Sequence, residues 1–232
     1  MEIHERIRSI RRRAFEECNS LTEFNLQPVV TIEPSAFAYC RSLTDIEFGG
    51  KLETIGDAAF IHCTSLRLIK IPVVTTIARK AFSFRRNLTD VELGSGLVTI
   101  GSHAFDGCAA LKRNRLSSVT AIEFCAFRNC EHLTEFDAPV ELRTIGDSAF
   151  AGCSRLVRIG IPLNDQMIQP SYNAFSRCER LSTVELVGDN VQEAISLLGL
   201  KKWQREINED IGRINQILPR TRALQKTMEM QQ

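Results

Sequence analysis

The sequence predicts an α/β solenoid, with a parallel β-sheet on one face and short turns of 3-10 or α-helical kind on the other. The first observation is a repeated template, I-x-x-x-A-F-x-x-C-x-x-L-x-x-[IVF]-x-[LIF], which the stretch IGDSAFAGCSRLVRIGIP illustrates. The second is the period, because template phenylalanines recur every 22 to 25 residues and units of that size must stack to bury their apolar residues. The template phenylalanines are Phe15, Phe37, Phe60, Phe82, Phe105, Phe127, Phe150 and Phe175.

Each unit is predicted to supply a turn and then a strand. The A-F-x-x-C-x-x-L segment spaces its apolar residues as one or two tight helical turns would. The residues after it alternate between polar and branched or aromatic side chains, as at Val91 and Leu93, which favours a strand. Since stacked copies must pair their strands in parallel, we expect one sheet of about eight strands with an open outward face.

These motifs resemble a known repeat family. The A-F-x-x-C-x-x-L pattern, joined to L-x-x-I-x-[IL]-P and T-I-G, is similar to the BspA-like class of leucine-rich repeats over roughly residues 7 to 188. The resemblance implies a leucine-rich-repeat solenoid that acts as an interaction module. Some relatives are surface adhesins, and this fold serves as a frame for many unrelated binding sites.

The template ends near residue 188, so the sequence predicts two parts. Residues 1–188 are the solenoid with its N-terminal cap, and residues 189–232 form a C-terminal helical cap or tail. In the tail, apolar residues from Trp203 to Leu218 recur at intervals of three and four, which predicts an amphipathic helix that Pro219 ends. This helix would cover the last coil, or it would serve self-association or a partner.

Seven of the eight cysteines occupy one template position, three residues after the phenylalanine. Free cysteine behaves as a small buried hydrophobe, so we interpret this position as a packing column inside the solenoid. Coils stacked about 4.8 Å apart also fall within the Cα separation of a disulfide, so oxidation is the alternative. Arg85 stands at the cysteine position of the fourth unit, and Asn114 replaces a branched strand residue in the fifth. We therefore hypothesise a loose seam between the fourth and sixth units.

The outward strand positions are the predicted protein-binding surface, because side chains alternate between the two faces of a strand. Their charges alternate in sign along the units, so neighbouring strands would set opposite charges side by side. This pattern suits either a solvent face that neutralises itself or a recognition surface with acidic and basic parts. With Trp203 of the tail, the candidate residues are Asp45, Glu47, Lys70, Asp90, Glu92, Arg113, Arg115, Glu135, Asp137 and Arg158.

Composition and motifs argue against several function classes. Lys plus Arg number 29 against 28 Asp plus Glu, which disfavours a dedicated binder of nucleic acid or of an acidic membrane. There is no apolar run of transmembrane length, and the start MEIHERIRSIRRRAF lacks the apolar core of a secretory signal, so we expect an intracellular, cytoplasmic protein. The four histidines lie in different units and catalytic motifs are absent, so we expect no enzyme, cofactor or metal site.

The function predicted from the sequence is therefore protein binding through the strand face or the C-terminal helix. A structural scaffold that associates with itself, or an adhesin-like surface protein, is the alternative.

Overall fold

A computed structural model describes residues 4–162 and 173–187, except for the side chains of residues 113–115 and 186–187. Parallel strands stack in this region as a solenoid of about seven turns. We number the coils 1 to 8 by their template phenylalanines, from Phe15 in coil 1 to Phe175 in coil 8. The predicted tail helix with Trp203, and the division of the chain near residue 188, lie outside the described residues.

The continuous part of the solenoid is a seven-stranded parallel sheet of two-residue strands, which we call the Thr-Ile ladder. Each of its isoleucines is buried and lies beside the isoleucine of the next coil, as Ile10 does beside Ile32. The strands are β1 (Ser9–Ile10), β3 (Thr31–Ile32), β5 (Thr54–Ile55), β7 (Thr76–Ile77), β9 (Thr99–Ile100), β11 (Ala121–Ile122) and β13 (Thr144–Ile145).

The longer strands form three parallel sheets, in the orders β2-β4, β6-β8-β10 and β12-β14-β15. The single eight-stranded sheet that we expected is thus interrupted between β4 and β6 and between β10 and β12. The second interruption follows Asn114, within the region of the hypothesised seam; the first was not predicted. These strands are β2 (Glu23–Leu26), β4 (Asp45–Phe48), β6 (Leu68–Ile71), β8 (Asp90–Leu93), β10 (Arg113–Arg115), β12 (Glu135–Asp137), β14 (Arg158–Pro162) and β15 (Thr183–Val187).

The turns are not helical, and the predicted 3-10 or α-helical turns are wrong for residues 4–162 and 173–187. In coil 1, the Ala14 N–H donates to a carbonyl of its own turn at 3.0 Å, but the next N–H, from Phe15, donates to Ala36 of coil 2 at 2.8 Å. Positive φ angles of 56° at Arg13 and 59° at Glu17 turn the chain so that alternate N–H groups point at the next coil. A helix would need all of these donors for its own carbonyls.

The template phenylalanines form a single column along the core, as predicted. Rings of consecutive coils lie nearly parallel, with centroids 5.1 to 5.6 Å apart over all seven steps from Phe15 to Phe175. Every ring except that of the half-buried Phe15 is buried. Because burying one phenylalanine contributes about 1.5 to 3 kcal/mol, this column is a main source of apolar stabilisation.

The predicted packing column of cysteines is also confirmed, and it carries a repeated hydrogen bond. Each cysteine of the column from coil 2 onward donates its thiol to the carbonyl oxygen of the phenylalanine in the preceding coil, with Sγ to O distances of 2.9 to 3.4 Å. Burial raises the pKa of the Cys108 thiol to about 12, so this group stays a protonated donor at neutral pH. All eight cysteines are free thiols.

Arg85 takes the place of a cysteine in this column and points into the core. Its side chain is fully buried, and its Nε donates to the Phe60 carbonyl at 3.2 Å, the acceptor that a cysteine would use. The guanidinium carbon lies 5.3 Å from the Phe60 ring centroid and 4.6 Å from that of Phe82. Nη1 and Nη2 have no hydrogen-bond partner among the described residues. Burial accordingly lowers the Arg85 pKa.

Candidate functional site

The outward side chains of the eight longer strands make a surface that we call the outer strand face. These strands are β2, β4, β6, β8, β10, β12, β14 and β15. Burial alternates along these strands as predicted, with exposed, buried, exposed and buried residues in both β4 and β6. Leu68 is on this surface and is 43% exposed. The described candidates on the face are Asp45, Glu47, Lys70, Asp90, Glu92, Glu135, Asp137 and Arg158.

Two further candidates, Arg113 and Arg115, are placed only by their backbone. Strand β10 pairs with β8 so that the Cα atom of Arg113 lies beside that of Asp90, and the Cα atom of Arg115 lies beside that of Glu92. Trp203, the last candidate, lies in the part of the chain that the structure does not describe. The structure therefore brings the strand candidates together on one surface but leaves Trp203 as a sequence prediction.

In the middle of the face, Lys70 and Glu92 occupy facing positions on β6 and β8. Their Nζ and Oε2 atoms are 3.1 Å apart, and both side chains are more than half exposed. Pairs of this kind contribute only about 0 to 1 kcal/mol. The contact therefore neutralises charge more than it stabilises the fold.

At the C-terminal end of the face, Arg158 of β14 joins three carboxylates. Its guanidinium nitrogens lie 2.7 Å from Asp137, 3.1 Å from Glu185 and 3.4 Å from Glu135. The hydrogen bond that Arg158 donates to Asp137 is the main cause that raises the pKa of Arg158. This arginine thus links β12, β14 and β15 through their outward side chains.

The N-terminal end of the face is acidic. Strands β2 and β4 present Glu23, Asn25, Asp45 and Glu47 outward, with Glu23 beside Asp45 in the register. Glu47 accepts a hydrogen bond from the Gln27 amide at 2.8 Å. Neither Asp45 nor Glu47 forms an ion pair within residues 4–162 and 173–187. The outward positions of β2 and β4 contain no basic residue, whereas β6, β10 and β14 each contain at least one.

The turn side carries a buried polar cluster around Asp106. Its carboxylate accepts hydrogen bonds from Arg128 Nε at 3.1 Å and Nη2 at 2.6 Å, and Oδ2 lies 2.9 Å from His103 Nδ1. The bond to Asp106 is also the main cause that raises the Arg128 pKa. These contacts satisfy the buried carboxylate and tie the turns of coils 5 and 6 together.

Across the described ranges, no three His, Cys, Asp or Glu side chains are grouped so that they could hold a metal ion.

A pocket that the sequence analysis missed lies on the turn side of coils 2 to 4. It has a volume of about 390 Å³ and is lined by Arg41, His62, Thr64, Phe84 and Arg86. These residues occupy the template positions directly before and after the cysteine. The signal available in the sequence was the aromatic series Tyr39, His62 and Phe84 beside the two arginines.

The stacked coils, the phenylalanine column and the open strand face define a leucine-rich-repeat solenoid. The chain belongs to the family described as "BspA type Leucine rich repeat region (6 copies)", which matches residues 1–112 and 112–195. This result confirms the resemblance found in the repeat motifs. No curated protein matches the chain.

The chain is similar to solved structures of bacterial leucine-rich-repeat proteins. A leucine rich cell surface protein from Faecalibacterium prausnitzii is 24% identical, with a TM-score of 0.54, over 83% of this chain and 72% of that one. A leucine-rich repeat protein from Bacteroides ovatus is 23% identical, with a TM-score of 0.45, over 78% of this chain and 59% of that one. The first likeness supports the fold.

In the part of this chain that is described, no helix is both long and apolar enough to cross a bilayer.

Proposed function

We propose that this protein is a non-enzymatic binding module whose outer strand face engages a protein partner. We further propose that the acidic end of the face, on β2 and β4, contacts a basic segment of that partner. Membership of a leucine-rich-repeat family supports the general role, since such proteins typically bind other proteins. The observation that supports the specific surface is the uneven distribution of charge along the face.

Charge at two places on the face is compensated within the molecule. Lys70 pairs with Glu92, and Arg158 pairs with three carboxylates on neighbouring strands. A partner that approached these regions would have to compete with existing ion pairs. They therefore suit a solvated surface.

The β2–β4 end differs because Asp45 and Glu47 point outward and form no ion pair within residues 4–162 and 173–187. Asp45 and Glu47 are exposed, and the nearest strand, β6, adds the exposed Leu68. A basic segment would supply the missing charge, and an apolar side chain next to it could cover Leu68. Complementary charge of this kind raises association rates and selects among partners.

Charge reversal on the acidic end tests this proposal. Affinity capture from an extract of the native cell would compare the wild type with the double variant Asp45→Lys, Glu47→Lys. We expect the double variant to lose the proteins that the wild type captures, because it repels a basic segment. Those interactions should also weaken as salt is raised.

The matched control is the double variant Glu53→Lys, Glu131→Lys, which makes the same change of net charge at exposed positions off the outer strand face. It should capture the same proteins as the wild type. Equal capture by both double variants, or equal loss in both, would contradict a role for the acidic end.

A further inference from the structure

Between coils 2 and 4, the turn side holds two arginines in one pocket without a carboxylate. Arg41 and Arg86 line the pocket together with Thr64 and His62. Neither guanidinium has an ion pair or a hydrogen bond to another side chain within the described ranges. We infer that this pocket binds a phosphomonoester whose organic part is a small aromatic ring, with Arg41 and Arg86 holding the phosphate.

The arrangement of charge favours an oxyanion. Two guanidinium groups that share a pocket repel one another unless an anion lies between them. Each presents a planar fork of N–H donors that matches phosphate oxygens, and the bonds formed are charge-assisted. The hydroxyl of Thr64 is a further donor at the same wall. A dianionic phosphate would therefore neutralise both arginines at once.

His62 contributes a donor at the edge of its ring. Tyr39 covers one face of the imidazole at a centroid distance of 5.0 Å, and Phe84 covers the other at 4.7 Å. With both faces covered, only the ring edge and its nitrogen atoms can meet the pocket. A neutral imidazole still offers one N–H to a phosphate oxygen.

The size and the aromatic wall of the pocket point to more than a bare phosphate. A volume of about 390 Å³ lies in the range of small-molecule sites and exceeds the space that one phosphate group fills. Phe84 is 36% exposed beside it. At the matching position of coil 5, Gly107 has no side chain, so the stack of Tyr39, His62 and Phe84 ends there. An aromatic ring on the ligand would cover the exposed part of Phe84.

Arg85 is a third positive charge close in sequence to the pocket. Arg85 lies between Phe84 and Arg86 in the chain, and its guanidinium is inside the core without a carboxylate partner in the described part of the chain. A charge in a poorly polarisable interior acts over a longer distance than an exposed one. We therefore expect the charge of Arg85 to favour an anion in the pocket.

Calorimetric titration at low ionic strength tests the inference, with phenyl phosphate, inorganic phosphate and phenol as probes. We expect phenyl phosphate to bind with a Kd of about 1 mM or tighter, and to bind more tightly than the other two. Arg41→Gln and Arg86→Gln should each weaken it by about tenfold or more, because each removes charge-assisted hydrogen bonds. The control Arg155→Gln, at an exposed position in coil 7, should leave the affinity unchanged.

Other outcomes of the titration would contradict the site as a whole or one of its features. Absence of saturable phenyl phosphate binding, or equal affinity in Arg86→Gln and Arg155→Gln, would overturn the site. Inorganic phosphate binding as tightly as phenyl phosphate would overturn the aromatic part, and phenol binding equally well would overturn the role of charge. The Arg85→Cys variant should bind phenyl phosphate more weakly, and an unchanged affinity would overturn the contribution of the buried charge.

Discussion

Arg85 illustrates how a single side chain can depart from the repeat without breaking it. Its Nε donates to the same Phe60 carbonyl that a cysteine would use, so the hydrogen bond of the column is kept. The difference is a guanidinium that is 0% exposed, with two nitrogens unpartnered among the described residues. The rings of Phe60 and Phe82 offset part of this cost through cation–π contacts.

Replacing Arg85 by cysteine should therefore stabilise the protein. The change removes an unpaired buried charge and restores a thiol donor to the Phe60 carbonyl, so we expect a gain of about 1 to 4 kcal/mol in the free energy of unfolding. Urea unfolding under reducing conditions would measure it. The control Arg155→Cys, at an exposed position, should change stability by about 0.5 kcal/mol or less. A loss of stability in Arg85→Cys would show that the core is fitted to the arginine.

The charge of His62 should depend on the two arginines of the pocket. Burial lowers its pKa below the ordinary 6.5, and the charges of Arg41 and Arg86 lower it further. Because the folded pKa is below the unfolded one, protonation of His62 costs stability as pH falls below about 6.5. We predict that Arg86→Gln raises the His62 pKa in an NMR titration of the imidazole, whereas Arg155→Gln leaves it unchanged. Equal His62 pKa values in the wild type and in both variants would show that Arg86 lies too far from His62 to affect its charge.

At the residue scale, the sequence predicted the columns but not their surroundings. Eight phenylalanines and seven cysteines at fixed template positions had to point inward, and they do. The direction of Arg85 could not be predicted, because an arginine at a core position can turn outward or bury its stem. The pocket was missed because Arg41 and Arg86 are 45 residues apart, and only the stacking of coils brings them together.

At the scale of elements, the turns show how stacking overrides local preference. The A-F-x-x-C spacing predicts a helical turn when one unit is considered alone. In the solenoid, alternate N–H groups bond to the next coil instead, as Phe37 does to Ala59 and Tyr39 does to Ile61, both at 2.8 Å. The Thr-Ile ladder continues unbroken beside them. A single repeat does not contain the acceptors of these bonds, because they lie in the next coil. The turn type therefore could not be predicted from the repeat sequence.

The charged contacts between strands give an element-scale prediction. Arg158 of β14 holds two carboxylates on β12 and one on β15, whereas Lys70 of β6 holds one on β8. At low salt, Arg158→Gln should lower the melting temperature more than Lys70→Gln, because it leaves three negative groups close together. Added salt should shrink the difference, since it screens exposed charges. Equal melting temperatures at low salt would show that the Arg158 cluster does not stabilise these strands.

For the whole molecule, stability depends on the unbroken column of phenylalanines. Each coil contacts only its neighbours, so the fold is a chain of interfaces rather than one compact core. Phe127 sits in the middle of the column and is 1% exposed, with its ring 5.3 Å from those of Phe105 and Phe150. Removing this ring interrupts two interfaces at once.

We therefore predict that Phe127→Ala lowers the free energy of unfolding by about 3 to 5 kcal/mol, as measured by thermal or urea unfolding. Phe124→Ala is the matched control, because it makes the same change three residues away at a ring that is 46% exposed. It should cost only about 1 kcal/mol, because its ring is half exposed and makes an edge contact with His103. Similar losses in the two variants would contradict the distinction between column and surface.

Successive coils lie directly on one another, with each phenylalanine ring against the next. A proton NMR nuclear Overhauser spectrum, recorded on protein in which only the phenylalanine side chains carry protons, tests this stacking. Consecutive template rings, with centroids 5.1 to 5.6 Å apart, should give cross-peaks along the series from Phe15 to Phe175. Cross-peaks that instead join rings two or more coils apart, or their absence between neighbouring coils, would contradict it.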